Sequence, residues 1–194
     1  MTAKRIVVGI GGGIAAYKVA TLVSRLVQGD DSQPAHSVDV VLTHGALHFV
    51  GPATFAALCG RAPVSDTYDP RFPLGPHIEL AAGADLLVIA PATARIIASC
   101  ALGLADDLLS TLYLACECPV LMAPAMSSPM WAKAAVQRNV AILQGDGVEF
   151  VGPNCGWLSC RKQGHGRMAE AEEILSAAAR ALPDDKVLAD EIVR

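Results

Sequence analysis

Charge is what this chain has least of. Only 18% of its 194 residues are Asp, Glu, Lys or Arg, against 53% apolar. Two causes account for so lean a polar surface, and both are expected here. A parallel sheet covered on both faces consumes apolar residues, and a subunit interface needs few charges. The net charge is −4 with no basic stripe, which argues against a nucleic-acid partner. No apolar run reaches the roughly 18 residues of a membrane span. Lys4 and Arg5 lead into glycines, not into the apolar core of a secretory signal. The expectation is a cytoplasmic protein without a membrane partner. CxxC pairs are also missing, although there are six cysteines: Cys59, Cys100, Cys116, Cys118, Cys155 and Cys160. Neither a disulfide framework nor a metal site is expected. Most of these thiols read as buried small hydrophobes, and Cys160 is set apart below. The length suits one domain with one core, over 1–182, followed by a C-terminal tail over 183–194.

What is present alternates. Val7, Val8 and Ile10 end a first strand, and Val19, Leu22, Val23 and Leu26 recur at helical spacing. GDDSQPAHS is a polar loop and VDVVLT a second strand. PATFAALCG reads as a helix with Pro at its start and Gly at its stop. Residues 61–76, with five prolines or glycines, look irregular. A short helix then precedes the strongest buried strand, Leu86 to Ala90. RIIASCALGLADDLLSTLYLA is helical with a break near Gly103. CPVLMAPAM is a strand ending in a loop, and SSPMWAKAAVQ is a helix. Short strands around VAIL and EFV precede a glycine-rich loop over 152–166, and AEAEEILSAAARAL closes with an amphipathic helix. The pattern predicts an α/β fold with a doubly wound, mostly parallel sheet, a Rossmann- or flavodoxin-like three-layer sandwich.

The glycine cluster after the first strand resembles a phosphate-binding turn but fails two stricter tests. From Gly9 the run G-I-G-G-G-I puts Ile14 where a dinucleotide fingerprint needs a small residue. From Gly11, G-G-G-I-A-A fits only the looser form. The carboxylate that should end strand two and hold a ribose is absent, and Thr43 stands there instead. Lys18 lacks the spacing of a P-loop. Two readings remain: a site for one phosphomonoester at a helix N-terminus, with Thr43 adding a hydroxyl, or merely a tight turn.

Three other segments belong to the same sheet edge. His77 precedes a helix, and a lone His is more often structural. APAMSSPMW puts a small-residue loop ahead of a helix, and its Met126, Met130 and Trp131 would ordinarily be core. GWLSCRKQGHGRM is a glycine-flanked loop that sets Cys160 beside the cations Arg161 and Lys162.

Taken together, Gly-Gly-Ile-Ala-Ala-Tyr-Lys (12–18), His77-Ile-Glu-Leu, Ala90-Pro-Ala-Thr-Ala94, Asp106-Asp-Leu-Leu-Ser, Ala123-Pro-Ala-Met and Cys160 with Gly-His-Gly-Arg-Met168 keep a characteristic order. In this the chain resembles the homo-oligomeric flavin-containing cysteine decarboxylases, over roughly residues 4–180. The resemblance implies FMN as cofactor. Its phosphate would lie on Gly12, Gly13 and Ile14 with Thr43 and Gly45. Thr93, Ala94 and Arg95 would line the flavin, and Ala125 would touch it. His77 and Cys160 would be the catalytic residues, and Met126, Ser127, Arg167 and Met168 would meet the substrate. It also implies a homo-oligomer, a trimer or a dodecamer of trimers, in which His77 serves a neighbour's flavin. Within the family, Cys160 points to the complete cycle on 4′-phosphopantothenoyl-L-cysteine, giving 4′-phosphopantetheine in coenzyme A biosynthesis through thioaldehyde and enethiol intermediates. The alternatives are a peptidyl-cysteine decarboxylase that stops at the enethiol, as in lantibiotic-like pathways, and a non-catalytic flavin-binding regulatory subunit. Bacterial relatives fuse such a domain to a ligase, so a ligase step is expected on another chain or beyond this sequence. Three positions depart from the family pattern, which has Asn at each: Ser127, Arg95 and Asp106.

Overall fold

Apolar runs of two periods alternate along the chain, and the computed structural model, which describes residues 2–30 and 34–182, turns them into strands and helices in turn. The first half runs β1 (Arg5–Ile10), α1 (Ala16–Gln28), β2 (Ser37–Leu42), a 3-10 turn (Ala46–His48), α2 (Pro52–Cys59), α3 (Pro76–Ala81), β3 (Leu86–Ala92) and α4 (Ala94–Ala101). The second half runs α5 (Leu108–Ala115), β4 (Val120–Pro124), α6 (Ser128–Trp131), α7 (Ala134–Gly145), β5 (Glu149–Phe150), β6 (Asn154–Leu158), β7 (Lys162–Arg167) and α8 (Ala171–Ala181). No helix among the described residues is long and apolar enough to cross a membrane.

Local chemistry explains the boundaries. α2 opens on Pro52, whose missing N–H costs nothing at a first turn, and stops at Gly60, which takes the left-handed conformation at φ 70°. α5 opens on a capping box. The Asp107 carboxylate accepts the Ser110 N–H at 2.8 Å, and the Ser110 hydroxyl oxygen accepts the Asp107 N–H at 3.1 Å. β3 is buried at all seven positions, as a central strand covered on both faces must be.

The main sheet has five parallel strands in the order β2-β1-β3-β4-β5. Ile6, Val8 and Ile10 face one layer, where they pack with α1, α2 and α8 through residues such as Leu22, Phe55 and Ile174. Val7, Leu87 and Ile89 face the other, with α3, α4, α5 and α7 through Leu80, Ile97, Leu109 and Leu143. Fully burying each such side chain stabilises by about 1.5–3 kcal/mol. The result is the expected doubly wound three-layer sandwich. Its strand order reverses direction between β1 and β3, and ligands of such sheets bind outside the strand ends at that switch point.

Three local expectations are corrected. VAIL is not a strand: Val140 and Leu143 lie three apart on the buried face of α7. SSPMWAKAAVQ is not one helix, since α6 ends at Trp131 and α7 starts at Ala134. The supposed loop over 152–166 contains an antiparallel hairpin, β6–β7, with Gly156 opposite Gly164. Glycine depresses strand propensity, and packing against a neighbouring loop overrides it here. The expected tail over 183–194 lies outside the described residues.

Candidate active site

At the switch point three strand-end loops touch through backbone. A Cβ on Gly11 would lie 2.3 Å from the Pro91 carbonyl oxygen, and one on Gly12 would lie 2.7 Å from the backbone of Gly45. Glycine is required at these positions because main chain meets main chain. Thr43 fastens the same corner: its hydroxyl donates to the Ile10 carbonyl at 3.0 Å and accepts the Ala46 N–H at 3.2 Å. The turn itself closes with the Gly13 N–H donating to the Gly11 carbonyl, ahead of α1, whose first turn has no side-chain cap. Thr93 follows a register irregularity in β3 and caps α4 by accepting the Ile96 N–H at 3.4 Å.

The glycine turn and the loop after β3 help to wall a cavity of about 590 Å³. Gly12, Gly13 and Ile14 contribute from the β1–α1 turn, and Thr93 and Ala94 from the head of α4. Ala125, Met126 and Ser127 contribute from the loop after β4, and Cys160, Arg167 and Met168 from the hairpin segment. Eleven of the fifteen expected site residues therefore meet in one place, and they come from four separate parts of the chain.

The hairpin is held against the loop after β4 by glycines. The Met126 N–H donates to the Gly166 carbonyl at 3.0 Å. A Cβ on Gly166 (φ 133°) would lie 2.1 Å from the Met126 carbonyl oxygen, and one on Gly164 would lie 2.3 Å from the Ser128 Oγ. The Gly-His-Gly motif is thus a packing device that carries Cys160, exposed in the turn between β6 and β7, to the cavity. Arg161, next to it, is the one non-glycine residue with positive φ among the described residues (62°).

Four expected residues lie elsewhere. Thr43 and Gly45 sit behind the glycine turn, as described. His77 is on α3, whose Leu80 packs in the layer opposite α1 and α8, and its Nδ1 is buried with no hydrogen-bond partner. Arg95 points along the surface: its Nη2 donates to Asp106 at 2.9 Å and lies 3.9 Å from Asp107. Two of the three departures from the family pattern are therefore partners, and the Arg95 guanidinium holds the Asp106 carboxyl below its ordinary range. The pair is exposed, at 59% and 44%, so replacing Arg95 with Asn is expected to cost only about 0.5 kcal/mol. Flavin retention on gel filtration should be unchanged in that variant. A released flavin would place Arg95 on the cofactor instead.

Several lining residues escaped the sequence reading, among them Tyr17, Lys18, Trp157 and Ser159. Lys18 was legible in principle, since it lies in the first turn of the helix that follows the glycine turn. Glu170, which caps α8 and bonds Lys18 at 3.0 Å, left no such signal, because the two are 152 residues apart. Of the cysteines, Cys100 is buried, and burial pushes its thiol up to about 12. Cys59, Cys116 and Cys118 are half-buried, while Cys155 is as exposed as Cys160, so the expectation of mostly buried thiols is corrected.

The profile of the family described as Flavoprotein matches residues 1–182. The chain belongs to this family. Among family relatives, the coenzyme A biosynthesis bifunctional protein CoaBC of Haemophilus influenzae is 46% identical over 178 residues, covering 91% of this chain and 43% of its own length. CoaBC of Mycobacterium tuberculosis is 45% identical over 175 residues, covering 90% and 40%. The chain spans less than half the length of these curated relatives. Among solved structures, the FMN-dependent cysteine decarboxylase SpaF superposes with a TM-score of 0.79 at 36% identity, covering 92% of this chain and 94% of SpaF. A cysteine-to-serine mutant of PPC decarboxylase complexed with pantothenoylaminoethenethiol superposes with a TM-score of 0.81 at 28% identity, covering 92% and 98%.

Proposed function

We propose that this chain is an FMN-dependent decarboxylase of 4′-phosphopantothenoyl-L-cysteine, acting in the cytoplasm as a homo-oligomer in coenzyme A biosynthesis. The observation that carries this reading is the single cavity in which the glycine turn, the Ala-Met-Ser loop and the Cys160 hairpin meet. The coenzyme A biosynthesis named for the CoaBC relatives and the likeness to the PPC decarboxylase and SpaF structures support it.

The residues present fit a flavin mononucleotide. The turn before the uncapped N-terminus of α1 suits a phosphomonoester. Ile14, Thr93, Ala94 and Ala125 offer small and apolar walls, and the volume lies in the range of cofactor pockets. Gly12, Gly13 and Ile14 would hold the phosphate, with Thr43 and Gly45 fastening the turn from behind.

Loss of CO2 from a cysteine-derived carboxylate leaves an electron pair that a saturated thiol side chain cannot accept. FMN, held by Gly12, Gly13 and Ile14 with Thr93, Ala94 and Ala125 along its walls, would supply reversible two-electron (hydride) chemistry, and oxidation of the CH2–SH group to the thioaldehyde level would create an electron sink beta to the carboxylate. The chain's own groups hold charge and move protons. Ser127, in the loop after β4, offers its hydroxyl to the substrate carboxylate. His77 assists oxidation and CO2 release at a neighbouring subunit's cavity. The Cys160 thiol delivers the proton that must accompany hydride return if the enethiol is to become the saturated product. Exposed Ile14, Tyr17, Leu47 and Phe49 near the glycine turn support burial against another copy.

The test is product analysis by mass. The purified protein should carry a flavin spectrum and convert phosphopantothenoylcysteine to the saturated thiol. Enethiol from a cysteine-ending peptide, with the small substrate untouched, would support the peptidyl reading, and bound FMN with neither product would leave a binding subunit. Cys160→Ser is expected to cut saturated thiol by about 10²-fold or more and to accumulate an enethiol two hydrogens lighter. Unchanged phosphopantetheine output would remove Cys160 from the reaction.

A further inference from the structure

The cavity holds a charge arrangement that the fold itself does not require. Lys18 Nζ lies 3.0 and 3.1 Å from the two carboxylate oxygens of Glu170, and the Arg167 guanidinium bonds the same carboxylate. Both cations line the cavity, while Glu170 does not. The three residues come from α1, β7 and the head of α8. Two cations against one carboxylate leave a local excess of one positive charge in a chain whose net charge is −4. The Arg167 side chain crosses the neighbouring strand at Gly156, where a Cβ would lie 2.8 Å from Arg167 Cδ and 3.0 Å from Nη1, so the glycine leaves the stem free to take this path.

We infer that Lys18 and Arg167 receive the phosphate monoester at the far end of the substrate, displacing the Glu170 carboxylate that holds them in its absence. This rests on the phosphopantothenoylcysteine reading. A phosphomonoester near pH 7 carries roughly −1.5 to −2 charge and three strong acceptor oxygens. A guanidinium fork and a lysine point charge are the side chains suited to it. The displaced partner is weakly held, since Glu170 is 41% exposed and such ion pairs are screened by water.

Length agrees as well. The six residues of β7 span about 17 Å from the turn that carries Cys160 to Arg167 at the base. A phosphopantothenoylcysteine arm has thirteen bonds from sulfur to phosphorus, about 16 Å when extended at ordinary bond lengths. The hairpin can therefore present a proton donor at one end of the substrate and a phosphate contact at the other.

The experiment compares 4′-phosphopantothenoylcysteine with its dephosphorylated form on the FMN-loaded enzyme and measures binding of 4′-phosphopantetheine and pantetheine by calorimetry. The wild type should favour the phosphorylated substrate about 10²-fold in kcat/KM. Lys18→Gln and Arg167→Gln should each cut that ratio about tenfold, through KM, and the double variant should bring it near one. Binding of 4′-phosphopantetheine should weaken in parallel, with the flavin content of the purified variants retained. A wild-type ratio near one, or a ratio unmoved in the double variant, overturns the inference while leaving the decarboxylase reading intact. Loss of flavin with the ratio preserved also overturns it, because the cations then serve the cofactor's phosphate. A wild type that turns over neither substrate removes the functional reading and the inference with it.

Discussion

Mixed oligomers of His77→Asn and Cys160→Ser chains are expected to make the saturated thiol that neither variant makes alone. The His77→Asn protein should keep its flavin spectrum and lose CO2 release by about 10²–10⁴-fold, the range of general acid–base contributions. The cavity of one chain contains Cys160 and not His77, which sits on α3. If a complete site takes His77 from one copy and Cys160 from the next, random assembly at equal dose leaves about a quarter of the sites with both wild-type residues. Co-expression with two purification tags, followed by product mass, reads that fraction. No recovery above either single variant would show that both residues act within one chain, or that His77 does not act at all.

Gly166→Ala should reproduce the product pattern of Cys160→Ser with the cysteine still in place. The new Cβ would lie 2.1 Å from the Met126 carbonyl oxygen and 3.2 Å from its carbon, and the residue would be held at φ 133°. Both neighbours are backbone, so no rotamer change relieves the overlap. Strain and overpacking together amount to about 3–5 kcal/mol. That cost falls on the docking of the hairpin, because β6 and β7 form a sheet of their own, apart from the five-stranded core. The flavin spectrum and the main thermal transition should change little, while the enethiol accumulates and the saturated thiol falls. Gly164→Ala is the control, since its Cβ would meet the Ser128 hydroxyl, the end of a rotatable side chain. Full saturated output from Gly166→Ala would show that hairpin docking is not what brings Cys160 to its task.

The two replacements at Arg95 and Asp106 show what one-dimensional reading misses. In the sequence they are two unrelated departures from a family pattern, eleven positions apart, and Arg95 is expected to line the flavin. In space they are one exposed ion pair between the head of α4 and the approach to α5. Conversely, the glycines of the opening turn looked like room for a phosphate. Part of their work is to let Gly12 pack on Gly45 and Gly11 on Pro91, which no pattern within 9–16 reveals.

The sequence by itself determined the alternation of strands and helices, and its resemblance to a known family supplied most of the residues that line the cavity. The alternation follows from local periodicity, caps and turn residues, and the cavity residues from the family motifs in their order along the chain. Tertiary structure alone decided the rest. It made the glycine-rich segment a docked hairpin, paired Arg95 with Asp106, brought Lys18 to Glu170 and Arg167, and left His77 outside the cavity that Cys160 lines. The physical reason is the same in each case. The deciding contact joins residues far apart in the chain or in different elements, and its energy depends on close approach of side chains and backbone that no local propensity encodes.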